Sequence, residues 1–143
     1  MDKLVGVVRA TNKQVGALLH AVGYRLADES YKALPALLRR DYGIEVQGRL
    51  VRNYVEIELG EYVEVNILGE AVREGKPLTI VGEAKTQLDR RDLLHFLADR
   101  VEPTRKVFAE IFPVLVTYMT TTPGLEAEVR QAGVALYYSF DLG

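Results

Sequence analysis

Leu78-Thr79-Ile80-Val81-Gly82-Glu83-Ala84-Lys85 is the stretch whose reading decides the fold. An apolar, partly β-branched run ends in an acid and a lysine separated by one residue. Side chains alternate along a strand, so Glu83 and Lys85 share a face. Gly82, just before them, leaves room for a close approach to the backbone. A carboxylate and an ammonium at the end of a buried strand are costly in a core. Their presence there marks a site, or else a same-face ion pair, which contributes only ~0–1 kcal/mol when exposed.

The pattern around this stretch sets its context. Upstream, Tyr62 to Leu68 reads as a strand, Arg73-Glu74-Gly75-Lys76 as a hairpin loop, and Pro77 as the opening of the strand that holds Glu83. Before them, Ile44 to Glu58 is a strand carrying Val46, Leu50, Val55 and Ile57, closed by a turn at Gly60-Glu61. Two helices are expected ahead of the sheet. The first spans Lys3 to about Gly23, with Leu4, Val8, Val15, Leu18, Leu19 and Val22 near one face and an interruption at Thr11-Asn12. The second spans Asp28 to Tyr42, capped by Asp28, kinked or restarted at Pro35 and stopped by Gly43.

Downstream, Asp89 caps a helix carrying Leu93, Leu94, Phe96, Leu97 and Val101, which Pro103 breaks or kinks. Phe112 to Met119 is an almost unbroken apolar run, the pattern of a central strand covered on both faces. Pro123 starts a short helix, Gly133 ends it, and Val134 to Phe140 is the last strand. Hairpins first and crossover helices later predict an α/β domain: a mixed sheet with helices on both faces.

The bulk composition fits a single domain over 1–143. With 48% hydrophobic and 27% charged residues, the chain has material for a core. It has no cysteine, which excludes disulfides, zinc–thiolate sites and thiol nucleophiles. No apolar run reaches membrane-span length and no signal-peptide core is present, so the expectation is a cytoplasmic protein without a membrane partner. A net charge of −2 places any nucleic-acid contact on a local patch rather than on the whole field.

Placed together, a helix, a β-hairpin whose second strand ends in Gly82-Glu83-Ala84-Lys85, a helix and an apolar strand resemble the PD-(D/E)xK phosphodiesterase superfamily. Its fold is restriction-endonuclease-like. The resemblance spans about Asp28 to Phe140, with its sharp part in Glu64-Val65-Asn66-Ile67 and Gly82-Glu83-Ala84-Lys85, and it is nearest to small prokaryotic members without known function. It implies a nuclease that hydrolyses DNA with Mg²⁺ or Mn²⁺, ions that prefer hard oxygen ligands. By position, the resemblance makes Glu83 the metal carboxylate, Ala84 the carbonyl ligand, Lys85 the catalytic lysine and Glu29 the helix acid. The acid of the earlier hairpin strand falls at position 66, where this chain has Asn66, an oxygen ligand without charge. Glu64, two residues earlier and roughly 6.6 Å along the strand, is the reserve ligand.

Each candidate has a plainer alternative. Asn66 can close the hairpin as a satisfied polar residue. Glu29 can favour a helix N-terminus as any acid does. Arg49, Arg52, Arg90 and Arg91 can grip phosphates, or form solvated surface together with Arg39 and Arg40. Gln87 can touch substrate or simply face solvent. His20 and His95 lack metal-ligand spacing, Tyr137 and Tyr138 fit core packing, and neither a Ser-His-Asp arrangement nor a Gly-rich phosphate loop is present. Residues 1–23 can cover the sheet or pair with a second copy as a homodimer. A catalytically degenerate domain of the same fold, serving DNA binding or oligomerisation, is the rival to the nuclease.

Overall fold

The computed structural model describes the backbone of residues 2–143 and the side chains of residues 22–143. Leu4, Val8, Val15, Leu18, Leu19 and His20, with the dimerisation role expected of residues 1–23, lie outside the described side chains. Helix α1 (Asp2–Tyr42) leads into strands β1 (Ile44–Glu58), β2 (Glu61–Arg73) and β3 (Lys76–Leu88). Helix α2 (Arg90–Phe96), a π-helical turn (Leu97–Val101) and the single turn α3 (Glu102–Thr104) follow. Strand β4 (Ile111–Thr120), helix α4 (Leu125–Gln131), strand β5 (Ala135–Tyr138) and a 3₁₀ turn (Ser139–Asp141) complete the chain.

The sheet order is β1-β2-β3-β4-β5. Strands β1, β2 and β3 are antiparallel meander neighbours, whereas β4 and β5 join in parallel through the helical crossovers. The fold is the expected mixed sheet flanked by helices.

Two apolar cores sandwich the sheet. On one side α1 lowers Leu26, Leu34 and Leu38 onto Ile67, Ile80, Val114 and Val116, all of them 0% exposed. The spacing of four between Leu34 and Leu38 places both on one helix face. On the other side Phe96, Leu93, Val101 and Val129 cover Val65, Val81 and Leu115. Strand β4 lies between β3 and β5, and its residues Val114 to Thr117 are all buried, as its unbroken apolar run predicts.

Several boundaries differ from the sequence expectation. The two expected N-terminal helices are one helix, so Asp28 is not an N-cap but an exposed residue inside α1, and Pro35 lies within it. Gly43, at φ 67°, does stop the helix, its N–H bonded to the Arg39 carbonyl at 3.1 Å. Glu74 and Gly75 both have positive φ (53° and 77°), the hairpin turn that matches strand twist. Helix α4 begins at Leu125, after Pro123 and Gly124, and the last strand gives way at Ser139 to the 3₁₀ turn.

Candidate active site

The site forms where β2 and β3 part. Their ladder runs from Arg73↔Lys76 to Ile67↔Gly82 and then ends. Beyond it β3 stays paired with β4 as far as Leu88↔Thr120, while β2 stays with β1. Gly82 is placed where a side chain would not fit: a Cβ there would lie 2.8 Å from the Val114 carbonyl oxygen and 3.2 Å from Ile67 Cβ.

A bulge in β2 shapes the parting. Between the pairs Val51↔Leu68 and Asn53↔Val65, β1 advances two residues and β2 three. The extra residue reverses the inward face of the strand. Val65 therefore packs in the α2-side core and Ile67 in the α1-side core, although they are two apart. Asn66 sits at this reversal. Its Oδ1 accepts the Ala84 N–H at 2.8 Å, taking the place of the next ladder bond, and its carbonyl accepts the Tyr31 hydroxyl at 2.7 Å.

The opening is a cleft of about 570 Å³ lined by Glu64, Asn66, Glu83, Ala84, Lys85 and Gln87, joined by Tyr24, Asp92 and Arg100. All six residues expected here from the two hairpin strands thus line one cleft. Burial pushes the Glu83 carboxyl above its ordinary range, and Lys85 and Arg100 only partly offset this; Asp92 adds to the rise. Lys85 Nζ lies 3.7 Å from Asp92 Oδ1. Asp92 is itself fixed by a reciprocal cap: it donates its N–H to Asp89 Oδ1 at 2.7 Å, and its Oδ2 accepts the Asp89 N–H at 3.0 Å.

Arg100 reaches the cleft from the π-helical turn. Pro103 has no N–H, so it leaves the carbonyl of Asp99, four residues back, without its helical partner. Arg100 Nη1 donates to that carbonyl at 3.2 Å, while Glu102 N–H bonds to Leu97 O in the wider register. Such turns recur at functional sites. The Thr104 hydroxyl closes the turn on the carbonyls of Arg100 and Val101, at 2.8 and 2.9 Å.

Other expected residues lie elsewhere. Glu29 is exposed on α1 and does not line the cleft. It is not in a first turn either, because α1 begins far upstream, so the acid beside Lys85 is Asp92 rather than Glu29. Arg49, Arg52, Arg90 and Arg91 also fall outside the cleft lining. Arg52 stacks over Tyr24 at 4.4 Å and pairs with Asp28 at 3.4 Å, and Arg90 pairs with Glu128 at 3.5 Å. His95 pairs with Asp99 at 2.8 Å. Asp92 could have been found from the Asp-x-x-Asp cap spacing, whereas nothing in the sequence marks Arg100.

The donor set is one of hard oxygens. Glu83 and Glu64 offer carboxylates, Ala84 a carbonyl, and Asn66 Oδ1 keeps a second lone pair besides the one it uses. Among the described residues no three His, Asp or Glu side chains stand together as a protein-only metal cage. Mg²⁺ commonly binds through one or two carboxylates and completes its shell with water and substrate phosphates, so these residues fit a loosely held ion of that kind. Among the described residues no helix is long and apolar enough to cross a membrane.

No known family is matched by the chain, and no curated protein is matched by its sequence. Two solved structures are similar to the chain to different degrees. One is the MspJI restriction endonuclease in complex with a 27-mer oligonucleotide, with a TM-score of 0.54 and 12% identity, over 93% of this chain and 29% of that one. The other is a protein of unknown function, AF1548, with a TM-score of 0.48 and 13% identity, over 79% of this chain and 57% of that one. The chain thus spans less than two thirds of each neighbour, and the likeness to MspJI is one of fold: restriction-endonuclease-like.

Proposed function

We propose that the cleft between β2 and β3 is the active site of a PD-(D/E)xK-type phosphodiesterase that hydrolyses DNA with Mg²⁺ or Mn²⁺. The observation that carries this reading is the convergence of Glu64, Asn66, Glu83, Ala84 and Lys85 on one cleft at the end of the hairpin. Glu83, the Ala84 carbonyl and Asn66 Oδ1 would hold the ion, with Glu64 in reserve. When bound, the ion would polarise the phosphodiester and lower the pKa of an attacking water. The cation would also meet the charge demand of Glu83, whose burial penalises an unpaired carboxylate.

Lys85 faces the developing negative charge, and Asp92 holds its ammonium in the cleft at 3.7 Å. The α2 N-terminus fixes Asp92 through the Asp89 cap. A cytoplasmic location and a homodimer belong to the same proposal.

Purified protein with Mg²⁺ or Mn²⁺, incubated with plasmid and branched DNA, tests it. Lys85→Ala should lower cleavage by about 100-fold or more. Equal cleavage by wild type and Lys85→Ala would identify a contaminating nuclease and discard the reading.

One observation favours the rival, a nuclease fold that binds DNA without turnover. The Asn66 amide oxygen already serves the Ala84 N–H, and it brings no charge to a metal. Calorimetric titration separates the two readings: absence of binding at millimolar Mn²⁺ supports the rival. Asn66→Asp keeps the acceptor for Ala84 and adds a charge, so it should tighten Mn²⁺ binding if the cleft is a metal site.

A further inference from the structure

Among the described residues Arg100 is the one arginine that lines the cleft. Arg39, Arg40, Arg52, Arg90, Arg105, Lys106 and Arg130 each pair with an acid. Arg100 shares its cleft with Glu64, Glu83 and Asp92, yet among the described residues it forms an ion pair with none of them. Its one side-chain hydrogen bond among the described residues goes to a backbone carbonyl beside it, from Nη1. A guanidinium carries five donors in a planar fork, so most of them remain available. The side chain is half-buried, and the backbone that bears it is held open by the π-helical turn, Pro103 and the Thr104 hydroxyl. A fixed stem with free donors in a cleft is the arrangement that recognises a planar pair of anionic oxygens.

We propose that Arg100 is a phosphate-binding residue of the cleft, gripping a backbone phosphate of a nucleic-acid strand that lies along the parted edges of β2 and β3. Lys85 supplies the second positive charge. The two play different parts: Lys85 is a point charge on a half-exposed stem, loosely balanced by Asp92, whereas Arg100 offers a bidentate fork. The inference rests on the cleft being a nucleic-acid site, but it requires neither hydrolysis nor a bound ion.

The test is fluorescence anisotropy of a labelled DNA oligonucleotide with the full chain at low ionic strength, first with a chelator and then with Ca²⁺. The variants are Arg100→Ala, Arg100→Lys and, as an exposed control at the far, turn end of the hairpin, Lys76→Ala. Arg100→Ala should weaken binding by about tenfold, the scale of a lost charge-assisted hydrogen-bond pair. Arg100→Lys should recover only part of that loss, and Lys76→Ala should bind like wild type. If Arg100→Ala fails to fold, as its melting curve would reveal, Arg100→Lys decides: weaker binding than wild type supports the assignment, and equal binding overturns it. Wild-type affinity in Arg100→Ala under both conditions, or no DNA binding by the wild-type chain, also overturns it. Cleavage is scored separately. Loss of binding in Arg100→Ala without any wild-type cleavage would leave this assignment standing and remove the nuclease reading. Cleavage that persists with unchanged binding would do the reverse.

Discussion

The two halves of the β2–β3 hairpin are built from the same strands and do opposite things. In the half near the turn, Ile67 to Arg73 pair in register with Lys76 to Gly82, and Ile67, Ile80 and Val81 are fully buried. In the other half the strands separate, a bulge turns β2 over, and polar residues line the gap. The first half buries apolar surface and satisfies its backbone through the ladder. The second leaves polar groups and strand edges facing a cleft, an arrangement that contributes little to stability and makes room for a ligand. Asn66 is the boundary: its side chain makes the last cross-strand bond.

Substitutions can break this contrast. The largest effect belongs to the paired half. Ile80→Ala should destabilise the fold by about 2–5 kcal/mol in urea unfolding, because it empties a closed site between α1 and the sheet. A smaller effect is expected at the boundary. Asn66→Ala removes the acceptor of the Ala84 N–H and should cost about 1–3 kcal/mol, with local deprotection of Ala84 in hydrogen exchange. A loss at Asn66 as large as that at Ile80 would mean that the boundary is part of the core rather than its edge.

The smallest effect is expected in the parted half, and it depends on pH. Burial raises the Glu83 pKa in the folded chain, so the folded state binds this proton more tightly than the unfolded state. The stability that Glu83 contributes is present below its unfolded pKa and is lost as pH rises through the folded value. Glu83→Gln should therefore flatten that segment of the stability–pH curve, and it should be the more stable protein at neutral pH. A variant less stable than wild type at neutral pH would show that the carboxylate is paired rather than merely buried.

Much of the fold was legible because periodicity and turn chemistry are local. The Phe112–Met119 run, the Glu74-Gly75 turn, the Asp89 cap and the Gly43 stop are each readable within a few residues. The elements that were misread have non-local causes. Asp28 resembles a cap, yet an acid on the exposed face of a continuous helix has the same signature. The bulge at Asn66 has no glycine or proline to announce it; it exists because β2 must serve two cores. Glu83 and Lys85 share a face because strand alternation holds along β3, Asn66 joins them only through the bulge, and Glu29 was placed by a helix start that does not exist. Arg100 stayed hidden because Pro103 reads as a stop, and only coordinates show that the helix widens there instead of ending.

Tyr31 adds a mechanical consequence. Its hydroxyl holds the carbonyl of the same residue whose side chain closes the ladder. The long N-terminal helix is thereby a lever whose short arm rests on the floor of the cleft. A torque on its far end would reach Asn66 through this hydrogen bond alongside the packed contacts of Leu26, Leu34 and Leu38.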